Sequence, residues 1–167
     1  MDAYDKTQFY ALLESGHFAS MVRESVKEQK VQAAKDVYNI VKPLVEQEND
    51  VEQFWVIFLD TKGYVLEMSC ISKGSLSSAM VYPREIIKSA LRIKASSIIC
   101  CHNHPSGDSN PSPEDRLLTF QLLIACESIG ITFHDHIIIG NNSYYSFADI
   151  GTIAKLKREY KTFIHGV

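Results

Sequence analysis

The chain has 167 residues, 46% of them apolar and 22% charged; this suits one domain with a full core and ordinary globular composition. A net charge of −3 offers no general electrostatic footprint for nucleic acid. No apolar run reaches membrane-spanning length, Met1-Asp2-Ala3-Tyr4-Asp5 lacks the basic start of a secretory leader, and Cys70, Cys100, Cys101 and Cys126 form no Cys-x-x-Cys pair, so a cytoplasmic protein with free buried thiols is expected.

Residues 1–50 read as helical. Tyr4 to Glu14 carries Phe9, Tyr10, Leu12 and Leu13, and Ala19 to Val45 places Met21, Val22, Val26, Val31, Val37, Val41 and Leu44 at mostly helical spacing. The polar run Glu46 to Asp50 closes this stretch. It is expected to be a helical extension packed on a domain formed by residues 51–167; a partner surface or a dimer contact is the alternative. Gln53 to Leu59 and Tyr64 to Ser72 read as strands joined in a hairpin at Asp60-Thr61-Lys62-Gly63. Gly74 to Ser78 is a small-residue loop. Pro83 to Ile93 reads as a helix with proline in its first position. Ser96 to Cys101 then reads as a buried strand.

That strand runs into His102-Asn103-His104-Pro105-Ser106-Gly107, followed by Pro111-Ser112-Pro113-Glu114-Asp115. Side chains alternate along a strand, so His102 and His104 share one face and Asn103 points to the other. Two imidazoles on one face at a strand end can share a metal. Cys100 lies on that same face, where buried packing is its expected role. Ser112 is placed as an N-cap, Pro113 as the first helical residue and Asp115 as the third. Two neutral imidazole nitrogens and one carboxylate are a common three-ligand catalytic zinc set, with water in the fourth position. Zinc lowers the pKa of that water to about 7. Four specified residues at such spacing arise by accident on the order of 10⁻⁴ times in a chain this long. That weighs against a helix cap beside two unrelated histidines.

Pro113 to Ser128 reads as a helix, apolar almost all round and therefore deeply packed, with Gly130 as its stop. Ile131 to Ile139 and Ser143 to Phe147 read as strands around the turn Gly140-Asn141-Asn142, and Ala148 to Lys161 as a closing helix. Lys155, Lys157, Arg158 and Lys161 are read as a solvated face rather than a phosphate-binding patch. In a second His-x-His, His134-Asp135-His136, the two histidines are expected to share a face, but no third ligand follows at motif spacing. Asp135 or His136 is instead expected to orient a ligand of the first site, or to form an ordinary hydrogen-bonded pair. The order of elements predicts an α/β sandwich, a mixed curved sheet flanked by helices.

The run from His102 to Asp115 resembles the JAMM metallopeptidases, also called the JAB or MPN+ family, and within them the RadC branch. Glu52-Gln53-Phe54-Trp55-Val56-Ile57-Phe58-Leu59-Asp60 resembles that branch's opening strand, Tyr82-Pro83-Arg84-Glu85-Ile86-Ile87 its Pro-Arg-Glu helix start, and Asp135 to Gly140 with Tyr145-Ser146-Phe147 its closing strands. The resemblance covers about Glu52 to Phe147. It implies the JAMM/MPN, cytidine-deaminase-like sandwich and one zinc per chain on His102, His104 and Asp115. It further implies Ser112 as the group that steadies the oxyanion. Glu52 is implied as the base that takes a proton from the attacking water and passes it to the leaving amine. Glu67 and Glu85 are its rivals. The implied activity is hydrolysis of a peptide or isopeptide bond, with a peptide or protein substrate and ubiquitin-like conjugates among the partners. RadC relatives are also labelled as DNA-repair proteins and usually carry a helix-hairpin-helix-like region. Residues 1–50 hold a single glycine, Gly16, and show no glycine-punctuated hairpin, so no nucleic-acid site is expected. A metal-bound interaction module without turnover is the remaining alternative.

Overall fold

The computed structural model describes Ala11, residues 15–74 and residues 81–166, the side chain of His165 excepted. In chain order it forms α1 (His17–Ser25), α2 (Ala34–Val45), a 3₁₀ turn (Glu46–Glu48), β1 (Gln53–Leu59), β2 (Val65–Lys73), α3 (Pro83–Ile93), β3 (Ser97–Asn103), α4 (Pro113–Glu127), β4 (Thr132–Ile139), β5 (Tyr144–Ser146) and α5 (Thr152–His165). The expected helix Tyr4 to Glu14 lies, apart from Ala11, outside the described residues, and so does the loop Gly74 to Ser78, apart from Gly74.

The strands make one sheet in the order β2-β1-β3-β4-β5. β1 runs antiparallel to β2 and β3, β4 runs parallel to β3, and β5 turns back antiparallel on β4. The parallel pair exists because α4 carries the chain across from β3 to β4. On one face Val37, Val41, Leu44 and Val45 of α2 pack on Trp55, Ile57, Ile99, Cys101 and Ile137. On the other, Ile86 and Ala90 of α3, Leu122, Leu123 and Cys126 of α4 and Ile153 of α5 pack on Phe54, Val56, Phe58, Ile98, Cys100 and Ile138. Helices therefore cover both faces. This is why β1 and β3 are continuous runs without polar alternation and are buried at every position. The architecture is the mixed α/β sandwich that the order of elements predicts. Cys100, Cys101 and Cys126 are buried thiols and Cys70 is half-buried, none of them in a disulfide. Burial pushes the Cys126 thiol up to about 12.

Three expectations give way. The single helical stretch Ala19 to Val45 is two helices. Between them Glu28 takes a left-handed backbone (φ 65°). The Glu28 and Val31 N–H groups donate to the Val65 and Gly63 carbonyls at 2.9 and 3.0 Å, and the Val65 N–H donates to the Gln29 carbonyl at 2.9 Å. Backbone groups at the edge of the β1–β2 hairpin thus outcompete helix continuity. Second, α4 is not packed all round: Leu117 and Phe120 are exposed, and the buried stripe is Asp115, Thr119, Leu122, Leu123 and Cys126. Third, α5 begins at Thr152, after a left-handed Gly151 (φ 82°). The preceding turn is pinned by the Ala148 N–H donating to Asp135 Oδ1 at 2.8 Å and the Asp149 N–H to Ser146 Oγ at 2.9 Å. Among the described residues no helix is long and apolar enough to cross a membrane.

Candidate metal centre

The site forms where the C-terminal end of β3 meets the first turn of α4. His102 is wholly buried at the strand end, and His104 stands half-buried just beyond it. Strand alternation puts both on one face, and their rings turn toward each other so that the Nε2 atoms are 3.0 Å apart. Asp115 arrives through a capping box. Its N–H donates to Ser112 Oγ at 3.1 Å, and its Oδ2 accepts from the Ser112 N–H and O–H, both at 2.8 Å. The cap fixes the carboxylate so that Oδ1 lies 3.1 Å from His102 Nε2 and Oδ2 lies 3.2 Å from His104 Nε2.

Glu52 is delivered by sheet register. β1 pairs with β3 so that Phe54 faces His102, and Glu52, two residues earlier, falls beside the histidine pair. Its Oε1 lies 3.8 Å from His102 Nε2. The nearest ligand atoms of Glu52, His102 and His104 all lie within 4.8 Å of one another. The carboxylate of Asp115 is closer still to both imidazoles, so four side chains converge here.

The sequence profile of the RadC-like JAB domain matches residues 31–152. This chain belongs to the RadC-like JAB domain family. It is 45% identical over 149 residues to a UPF0758 protein of Protochlamydia amoebophila, covering 89% of the chain and 63% of that protein. It is 42% identical over 125 residues to a UPF0758 protein of Methanosarcina mazei, covering 75% of the chain and 54% of the relative. A UPF0758 protein of Symbiobacterium thermophilum is 45% identical over 103 residues, which is 62% of the chain and 44% of the relative. The chain thus spans roughly half the length of these relatives.

In this RadC-like domain the converging groups are acceptors, which suits a cation. His104 Nδ1 lies 2.7 Å from the Asp108 carbonyl. A carbonyl only accepts, so Nδ1 carries a proton and Nε2 faces the site. Asp115 Oδ1 is buried and makes no hydrogen bond, although His102 Nε2 is 3.1 Å away. A buried carboxylate oxygen in that state needs a proton or a metal ion to offset its desolvation. Burial works to raise the Asp115 pKa, but the His102 and His104 imidazoles outweigh it and hold the carboxyl well below the usual range. The Asp115 carboxylate would in turn hold a proton on His104 Nε2, which raises the pKa of His104. Two imidazole nitrogens and a carboxylate are the donor set that zinc accepts.

The second His-x-His divides. A bulge in β4 interrupts its register with β3 between Phe133 and Asp135, and His134 is left exposed. The two histidines of the pair thus sit in different surroundings, His134 exposed and His136 buried. His136 is buried with its Nε2 at 2.8 Å from His102 Nδ1. Burial drives its pKa well below the ordinary imidazole value. Asp135 turns to the opposite face, where its Oδ2 accepts from the Ser146 O–H at 2.5 Å. Glu67 pairs with Arg92 at 3.1 Å on β2 and Glu85 lies exposed beside Arg84, so neither rival reaches the histidines. Lys155 pairs with Glu159 at 3.8 Å on a solvated helix face, whereas Lys157 is half-buried and reaches across to Glu127 of α4 at 2.9 Å.

Two residues at the site escape sequence reasoning. Asn103 turns away from the histidines: its Oδ1 accepts from the Gln53 N–H at 2.8 Å and its Nδ2 donates to the Val51 carbonyl at 3.0 Å. Thr119 Oγ1 lies 2.6 Å from the Asp115 carbonyl and 2.7 Å from His136 Nδ1. The signal for Thr119 is its place one helical turn after Asp115, on the same face. Asn103 gives none beyond standing between two ligand candidates.

Proposed function

We propose that this domain is a zinc-dependent hydrolase that cleaves a peptide or isopeptide bond, with His102, His104 and Asp115 holding the metal. One observation carries the reading: His102 Nε2 lies 3.0 Å from His104 Nε2 and 3.1 Å from Asp115 Oδ1, a buried carboxylate oxygen without a hydrogen bond. When bound, zinc acts as a Lewis acid that lowers the pKa of its water to about 7.

The chain's own residues supply the rest. Glu52, whose Oε1 is 3.8 Å from His102 Nε2, takes the proton of the attacking water on its carboxylate and delivers it to the leaving amine. Ser112, whose O–H donates to Asp115 Oδ2 at 2.8 Å, is assigned to the oxyanion that forms as the amide carbonyl is attacked, toward which that one hydrogen would turn. Its hydroxyl also caps α4 and orients Asp115, so it has a structural duty beside the chemical one. The substrate is a peptide or protein, with conjugates of ubiquitin-like modifiers as the class to screen first.

The test is metal content by plasma mass spectrometry, followed by cleavage of peptide and isopeptide-linked substrates. About one zinc per chain is expected, lost in Asp115→Ala. Glu52→Gln is expected to keep its zinc and to lower cleavage on the order of 10²–10⁴-fold. A parent chain that takes up no supplied zinc sinks the reading.

A further inference from the structure

The histidine left over by the metal motif, His136, and the unassigned Thr119 join the strand-borne and helix-borne ligand candidates. We infer that Thr119 and His136 are positioning residues: together they fix His102 as its Nδ1–H tautomer, so that its Nε2 lone pair faces the metal. This rests on the zinc site proposed above and adds a device that holds it.

The proton assignment follows from which atoms can only accept. Thr119 Oγ1 has one hydrogen and two neighbours, the Asp115 carbonyl at 2.6 Å and His136 Nδ1 at 2.7 Å. A carbonyl has no proton to offer, so the threonine hydrogen goes to Asp115. Thr119 Oγ1 must then accept, and His136 Nδ1–H donates to it. A neutral His136 with its proton on Nδ1 has a lone pair on Nε2. That lone pair is 2.8 Å from His102 Nδ1, which therefore carries a proton and donates. His102 Nε2 is left bare and points at His104 and Asp115.

With His136 neutral, as its complete burial favours, no other arrangement satisfies all three contacts. Reversing the threonine hydroxyl sets two oxygen lone pairs against each other at 2.6 Å. Reversing the His136 ring protons puts a proton on His102 Nε2, where the metal should bind. Water cannot rescue either alternative, because His102, Thr119 and His136 are each wholly buried. Turning the His136 ring over would set carbons where Nε2 and Nδ1 now meet His102 and Thr119. Phe147 stacks on it at 5.5 Å between centroids, 11° from parallel, and Phe54 meets it edge-on at 5.5 Å. The chain of bonds starts on the backbone of Asp115 and ends on His102, so it also sets the distance between α4 and β3 at the site.

The variant that tests this is Thr119→Val, which keeps the shape and removes the hydroxyl; Thr119→Ser keeps the hydroxyl. Zinc affinity is measured by competition with a chromophoric chelator. The ring tautomers of the zinc-loaded protein are read by long-range ¹H–¹⁵N correlation. The inference expects His136 as Nδ1–H in the parent. It expects Thr119→Val to weaken zinc binding by roughly 10–100-fold with an unchanged far-ultraviolet spectrum, and Thr119→Ser to restore it. A merely structural threonine would lower the melting temperature and leave both zinc affinity and tautomer alone. Parent-like zinc affinity in Thr119→Val, or His136 protonated on Nε2, overturns the inference while leaving the zinc site standing. A parent that binds no zinc overturns both.

Discussion

Asn103 grips the backbone on both sides of Glu52. It accepts from the Gln53 N–H at 2.8 Å and donates to the Val51 carbonyl at 3.0 Å, so the residue between the two histidines aims the acid that serves them. Asn103→Leu removes both bonds and leaves buried backbone groups unpaired, at about 1–3 kcal/mol for each. Its side chain faces away from His102 and His104, so zinc content should hold. The cleavage rate at saturating substrate should fall on the order of 10²-fold, the effect of a small misplacement of a catalytic group. Metal analysis beside steady-state kinetics decides the point. Zinc lost together with activity would show that Asn103 holds the strand end rather than Glu52.

Gly140 lies where no side chain fits. A Cβ there would meet the Gly107 carbonyl at 2.5 Å and the Ser109 N at 3.1 Å. The same contact carries the Asn141 N–H to the Gly107 carbonyl at 3.0 Å. Between Gly107 and Ser109 stands Asp108, whose carbonyl holds His104 Nδ1. Gly140→Ala must therefore push back the loop that orients His104. Zinc affinity is expected to drop by roughly tenfold or more, measurable by chelator competition. Parent affinity in this variant would mean that the loop adapts without moving His104.

Leu44 of α2 is buried against the face of the sheet that carries Trp55. Leu44→Ala is expected to lower stability by about 2–5 kcal/mol. Trp55, the chain's single tryptophan, reports that face by fluorescence during urea unfolding. One cooperative transition shifted to lower urea is the expected result. A Trp55 transition that stays in place would make α2 a detachable layer rather than part of the core.

Asp135 should act on stability in the opposite sense to an ordinary salt-bridged carboxylate. Burial raises its pKa to about 6, against the lowering effect of the hydrogen bonds from Ser146, Ala148 and His136. A raised folded pKa favours the protonated form. Its stabilising contribution is thus fully present below the unfolded value of about 3.9 and is lost as pH rises through about 6. A shift of about two units corresponds to about 3 kcal/mol at most. The stability of the parent relative to Asp135→Asn should therefore decline between pH 4 and pH 7 in chemical unfolding. A flat difference over that window would place the Asp135 pKa in the ordinary range.

What the sequence by itself determines is what local geometry determines. A strand's period of two puts His102 and His104 on one face. The capping box puts Asp115 in the first turn of the next helix. Both rules act over a few residues, so the ligand candidates and most elements can be read from the chain. The mixed α/β sandwich follows from the order of those elements. What the tertiary structure alone decides depends on pairing between distant segments. Register between β1 and β3 carries Glu52 to the histidines, while Glu67 and Glu85 lie beside Arg92 and Arg84. A bulge interrupts β4 at His134, which is exposed, while His136 is buried beside His102. Hydrogen bonds from the β1–β2 hairpin break one apparent helix into α1 and α2. Periodicity is a property of neighbours in the chain. Register, bulges and backbone capture across elements are settled only when separate surfaces compete for the same buried hydrogen bonds.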